Sequence, residues 1–174
     1  MPATGLRKVV ATLAATAVLS ACGGPAPVVA PTPSPTTLPE AASFARSLFD
    51  QTNTARSDAG LPPLEWSTCA ADLALPRALH TLPEVSLSHE PLLPSCESFT
   101  YLGENLSRAN YAPAQVMAAW LDSPGHRKNL LDPDFAEAGI GCVPYEASNP
   151  ARAASGSSGV GGMACSEVFL GYVP

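Results

Sequence analysis

Basic residues are scarce in this chain: nine Lys and Arg stand against fifteen Asp and Glu, a formal charge of −6. Two of the nine, Arg7 and Lys8, lie near the N-terminus, and without them the balance is about −8. Such a chain has no surplus cation to neutralise phosphates, which excludes nucleic acid or an anionic lipid surface as its main partner. Long apolar runs are also missing. The stretch from Val9 to Leu19 is free of acidic residues but falls short of the roughly 20 residues that span a bilayer. No C-x-x-C spacing occurs, which argues against a zinc ribbon. Neither H-E-x-x-H nor G-x-S-x-G is present, so the usual metallopeptidase and serine hydrolase patterns are absent. No internal repeat is visible, and the length suits one folded domain once the N-terminal segments are set aside.

What the N-terminus does contain is a basic start, a short apolar run and then Leu19-Ser20-Ala21-Cys22. Residues 1–21 read as a secretory signal. The tetrapeptide resembles the lipobox of bacterial lipoproteins, in which the cysteine thiol takes a diacylglyceryl group before cleavage; two or three acyl chains then anchor the protein stably. An ordinary cleaved signal with an incidental cysteine is the alternative. The five cysteines bear on this choice, because an odd number in an exported protein needs explaining. With Cys22 lipidated, Cys69, Cys96, Cys142 and Cys165 are left for two disulfides. Residues 22–39 hold six prolines, no charge and no aromatic side chain. They are expected to form an extended tether, reaching at most roughly 55 Å at about 3.1 Å per residue.

The folded domain is expected over residues 40–174. Phe44, Leu48 and Phe49 fall at helical spacing between Ala41 and Asp58, and Gly60 supplies a stop. Leu61-Pro-Pro-Leu64 makes a turn. A second helix follows Trp66, with Ser67 or Thr68 as its cap and Pro76 expected to kink or shorten it. From Thr81 to Gly103 the chain reads as loop, within which Val85–Ser88 could make a short strand. Ala112-Pro113 opens a third helix with an apolar face of Val116, Met117, Trp120 and Leu121, and Ser123-Pro124 opens a fourth through Leu131. Ala138–Pro144 and Met163–Tyr172 read as strands joined by the small-residue stretch Ala147–Gly162. An antiparallel pairing of these consecutive strands sets Cys142 beside Cys165, leaving Cys69 for Cys96. Four cysteines allow three pairings, so this one rests on chain order.

Four pieces occur in series: Asn53-x-x-Arg56, Leu87-Ser88-His89, Gly103-Glu104-Asn105-Leu106 and Trp120-Leu-Asp-Ser-Pro-Gly-His126-Arg127. Asn129-Leu-Leu-Asp-Pro-Asp-Phe135 and Gly139-Ile-Gly141 follow. In this order they resemble the CAP superfamily of cysteine-rich secretory, antigen 5 and pathogenesis-related proteins, whose bacterial branch is called SCP-like. The resemblance runs from about residue 42 to 172. It implies an α+β fold, a three-layer α-β-α sandwich around a central antiparallel sheet, with a cleft carrying two histidines and two acids. His89, Glu104 and His126 match three of these. Where the eukaryotic pattern has a glutamate three residues after the tryptophan, this chain has Ser123, and Asp122 is the candidate replacement.

Two imidazoles and a carboxylate suit a divalent metal such as zinc with a position open to water. The same groups can act as an acid–base pair, or form a buried hydrogen-bonded network that ties helix, loop and sheet together. Asn53, Arg56, Asn105 and Trp120 read as structural, while His80 matches no site of the family. Asn105-Leu106-Ser107 fits a glycosylation sequon by coincidence in a bacterial lipoprotein. Two functions follow. The first is a lipid-anchored extracellular binding or interaction module, its partner a lipid, another hydrophobic small molecule or an envelope protein. The second is a metal-assisted hydrolase or peptidase using His89, Glu104 and His126, which the missing hydrolase motifs and incomplete acid pair disfavour.

Overall fold

The computed structural model describes residues 38–84, 86–92, 96, 99–146 and 161–172. Cys22, the signal segment 1–21, the tether as far as residue 37 and the stretch 147–160 lie outside the described residues. The elements in chain order are α1 (Ala41–Asp58), β1 (Glu65–Trp66), α2 (Thr68–His80), β2 (Tyr101–Ala109), α3 (Pro113–Asp122), α4 (Pro124–Leu130), β3 (Phe135–Tyr145) and β4 (Gly162–Gly171). They form an α+β fold with a four-stranded sheet in the order β1-β3-β4-β2. The three long strands are antiparallel, and the two-residue β1 adds a short parallel pairing to β3.

The sheet is dressed differently on its two faces. On one, α1 turns Phe44, Leu48, Thr52 and Arg56 inward at four-residue intervals. The apolar members pack with Val116, Met117 and Trp120 of α3 and with Phe135, Ile140 and Phe169 of the strands. Each large apolar side chain contributes about 1.5–3 kcal/mol by leaving water. On the other face α2 lies very close to the sheet. Its inward residues are Ala70, Ala74 and Ala78, and opposite them stand Gly139 and Gly141 of β3. A Cβ at Gly139 would sit 2.1 Å from the Ala71 amide nitrogen, and one at Gly141 would sit 2.3 Å from that of Leu75. Only glycine admits the helix backbone at this distance.

Ser67 caps α2, its hydroxyl accepting from the Ala70 amide at 3.3 Å. Of the two effects expected of Pro76, shortening does not occur: the helix continues to His80. Tertiary packing of the alanine face offsets the one hydrogen bond that proline removes. Two other expectations fail. Residues 86–88 form no strand, and β2 begins within the stretch whose sequence reads as loop. β2 is an edge strand whose outer carbonyls are covered by side chains: Trp120 Nε1 donates to Leu106 O at 3.0 Å and Asn129 Nδ2 to Glu104 O at 2.9 Å. The edge is thereby closed to further pairing.

Disulfides join Cys69 to Cys96 and Cys142 to Cys165. The second links residues directly opposite each other on β3 and β4. The first ties the segment before β2 to the start of α2. The sequence separations are 27 and 23, and restricting the unfolded chain by loops of this length is worth about 3 kcal/mol each.

Candidate functional site

Alternation along β2 sends Leu102, Glu104 and Leu106 toward α2, and Asn105 toward the opposite layer. Glu104 is the centre of the site, its side chain only 2% exposed. Arg77, one residue after Pro76 on α2, forms a bidentate pair with it: Nε donates to Oε1, and Nη2 to Oε2 at 2.8 Å. Ser166 of β4 donates its hydroxyl to Oε1 at 2.8 Å. His89 contacts Oε2 through Nδ1 at 2.8 Å. Burial alone pushes the Glu104 carboxyl up. The bonds from Arg77, His89 and Ser166 and the charge of Arg77 outweigh it and hold the group below the usual carboxylate range. An ionised carboxylate only accepts, so Nδ1 of His89 donates. The His89 side chain is 56% exposed.

His126 lies on α4. Its carbonyl accepts from Asn105 Nδ2 at 3.1 Å, and its ring centroid is 6.5 Å from that of Trp120. Burial, then the nearness of His89, depress its pKa; the imidazole is therefore neutral at pH 7. Asp122 ends α3, and among the described residues no hydrogen bond or ion pair joins it to His89, Glu104 or His126. The structure thus brings Glu104 and His89 together, sets His126 near His89, and leaves Asp122 out.

As a metal ligand Glu104 fits poorly. Its two oxygens accept four hydrogen bonds, from two guanidinium nitrogens, an imidazole and a hydroxyl, which fills every lone-pair site of the carboxylate. Among the described residues, the three metal-ligating side chains whose donor atoms lie within 4.8 Å of one another are His80, Glu84 and Glu90. The set indicated by the sequence, His89, Glu104 and His126, is not brought to that spacing. Glu104 is positioned to orient the His89 ring, not to coordinate. A general base needs a free lone pair aimed at its proton, and Glu104 has none to spare.

The remaining motif residues are structural in their contacts. Asn53 and Leu64 exchange two hydrogen bonds, 3.1 and 2.8 Å, which pin the Leu61–Leu64 turn to α1. Arg56 is fully buried and donates to four carbonyls, those of Pro62, Leu130, Asp132 and Phe135. Asn105 and Trp120 hold α4 and α3 to β2.

Of three further residues that matter to the site and core, Arg77 gives no sign in the sequence and the pair Ser166-Glu167 gives one. Arg77 reads as an ordinary exposed helix residue, yet it neutralises Glu104. Ser166 and Glu167 sit in the middle of an apolar strand. Two adjacent polar residues in a run such as Met163–Leu170 are themselves a signal, because a strand covered on both faces is otherwise apolar. Glu167 is completely buried and takes a 2.9 Å bond from Thr52 Oγ1, while among the described residues its Oε2 has no partner. Burial pushes its pKa up to about 8, against the opposing effects of the Thr52 bond and the Arg56 charge.

Known proteins match this chain in sequence and in fold. The pattern of the CAP family, described as the cysteine-rich secretory protein family, matches residues 49–150, more than half the chain. An uncharacterized protein of Bacillus subtilis, YkwD, is 29% identical over 110 residues, covering 58% of this chain and 43% of its own length. An uncharacterized membrane protein of the same organism, YlbC, is 33% identical over 107 residues, covering 55% of this chain and 30% of its own. The chain therefore spans less than half of these relatives. Among solved structures, an extracellular SCP-domain protein from Bacillus anthracis superposes with a TM-score of 0.57 at 25% identity, over 74% of this chain and 40% of that one. An outer surface protein from Borrelia burgdorferi gives 0.58 at 18% identity, over 78% and 97%, a likeness of fold alone. With its sandwich, its Glu104-centred cleft and the matched pattern agreeing, this chain belongs to the CAP, or cysteine-rich secretory protein, family.

Proposed function

We propose that this protein is an extracellular CAP-domain binding module, held at the outer face of a bacterial membrane by lipid on Cys22 and set off from it by the proline-rich tether 22–39. The observation that carries the binding reading is the complete engagement of Glu104. Its four hydrogen bonds make it the keystone of a scaffold and leave no oxygen for proton transfer or metal activation of water. Beside this network, Pro76, Arg77, His80, Ser88, Glu104 and Leu106 line a cleft of about 180 Å³. That is smaller than the roughly 300–1,000 Å³ of sites that enclose a whole cofactor or drug-sized molecule. It suits a single apolar group, either the end of a lipid or small hydrophobic molecule or one projecting side chain of an envelope protein. The location is supported by the lipobox-like Leu19-Ser20-Ala21-Cys22 and by the extracellular designation of the Bacillus anthracis neighbour.

The test is mass spectrometry of the full chain purified natively from its own membrane. A ligand is expected to co-purify, and Ser88→Trp, which fills the mouth of the cleft, to be recovered without it. Cys22→Ser should lose fatty-acid labelling and leave the membrane fraction. A hydrolytic activity abolished by Glu104→Ala but kept in Asp58→Ala would replace binding with catalysis. A labelled, membrane-bound Cys22→Ser would remove the anchor.

A further inference from the structure

We propose that His80, Glu84 and Glu90 form a divalent-cation site at the rim of the cleft, separate from the Glu104 network and selective for a borderline transition metal such as zinc. One ligand atom from each residue lies within 4.8 Å of the others. His80 ends α2, Glu84 follows one turn later, and Glu90 arrives from the segment before β2. His80 Nδ1 and Glu84 Oε1 are already 3.5 Å apart, close to the separation of two ligands on one tetrahedral ion with bonds of about 2.0–2.1 Å. Glu90 closes the remaining distance by rotation, since its side chain is exposed. His80 likewise has a half-exposed side chain, at 55%.

The supports of these ligands come from outside the trio. Ser88 donates to the Glu84 carboxylate twice, from its hydroxyl at 2.7 Å and its amide at 3.2 Å. Arg77 Nη2 donates to the Glu90 carbonyl at 2.6 Å, and Arg108 donates to the carbonyl of buried Thr81. Outer contacts that fix ligand orientation are what a metal site requires. One imidazole nitrogen with two carboxylates favours zinc over calcium or magnesium, which take oxygen ligands alone. Two carboxylate charges match one divalent cation, and three protein ligands leave a position open. His80 and Glu90 also line the cleft, so that position faces it.

Calorimetric zinc titration of the full chain tests the site, with cobalt(II) absorption as a second readout. Zinc is expected to bind one ion per chain, unperturbed by excess magnesium, and His80→Ala and Glu90→Gln each to weaken it at least tenfold. His126→Ala should leave the affinity within twofold, and His80→Ala and Glu90→Gln should keep the wild-type metal-free melting temperature. The proposal is overturned if the wild type takes up no zinc at millimolar concentration. It is equally overturned if His80→Ala binds as well as the wild type, or if His89→Ala or His126→Ala alone removes the ion.

Discussion

The two faces of the sheet solve the same packing problem in opposite ways. Toward α1 and α3 the gap is wide and is filled by rings: Phe135 stacks between Tyr101 and Phe169 at 4.7 and 5.2 Å, and Trp120 is buried in the same core. Toward α2 the gap nearly vanishes, and alanines meet glycines. Each face of the sheet carries one buried strand glutamate. Among the described residues Glu167, on the aromatic side, has one hydrogen bond and an oxygen without a partner. Glu104, on the alanine side, has four bonds and a guanidinium. The nearby Arg56 does not rescue Glu167, because its nitrogens are aimed at carbonyls. Burial alone therefore does not set the state of a carboxyl; the donors within reach do. One acid is held neutral and the other ionised, although Glu167 pairs across the sheet with Asn105, the very next residue to Glu104.

Substitutions on each face can break this contrast. Arg56→Met should have the largest effect, about 4 kcal/mol or more by urea unfolding, because four buried carbonyls lose their donor together. A loss below about 1 kcal/mol would mean that water replaces the guanidinium and that the aromatic side is less dry than its packing implies. Arg77→Met should cost about 3 kcal/mol by leaving Glu104 charged and buried. Adding Glu104→Gln should recover part of that loss, and a double-mutant cycle with purely additive effects would show that the pair is not coupled.

The smallest effect is expected from Glu167→Gln, and it is a change of slope. The Glu167 carboxyl titrates near pH 8 in the folded protein against a reference of 4.5. Between those values the folded chain keeps a proton that the unfolded chain has released. Its stabilising contribution is complete below about pH 4.5, declines as pH rises, and is gone above about 8. Glutamine does not titrate, so the variant should be flatter over that window and gain on the wild type toward pH 8. An unchanged slope would mean that Glu167 is ionised in the folded state.

How much can be read from residues alone follows the same division. Helices α1, α3 and α4 announce themselves through periodic apolar positions and through Pro113 and Pro124 at first-turn positions. The Asn53, Arg56 and Trp120 motif residues are large and distinctive. β2 is hidden because its start, Tyr101–Gly103, falls in the stretch that reads as loop and Glu104-Asn105 is polar, whereas in the sheet Gly103, Glu104 and Asn105 are buried and the two polar side chains are satisfied by distant partners. Arg77 is hidden because nothing local distinguishes a surface arginine from one folded over a carboxylate far along the chain. Long-range pairing decides both cases, and no window of sequence contains it. The family resemblance supplies Glu104 and His89 as neighbours; it does not supply the guanidinium that fixes what Glu104 does.

The cross-strand Cys142–Cys165 bond has a practical consequence at the tip of its hairpin. The chain leaves β3 at Tyr145 and enters β4 at Gly162, and these two residues are paired in register just beyond the bond. Whatever is spliced between them starts and finishes one strand spacing apart, with the ends already locked. Doubling the length of such a connection costs only about 0.6 kcal/mol. Length added between Tyr145 and Gly162 therefore acts on ends that the strand pairing and the disulfide already hold.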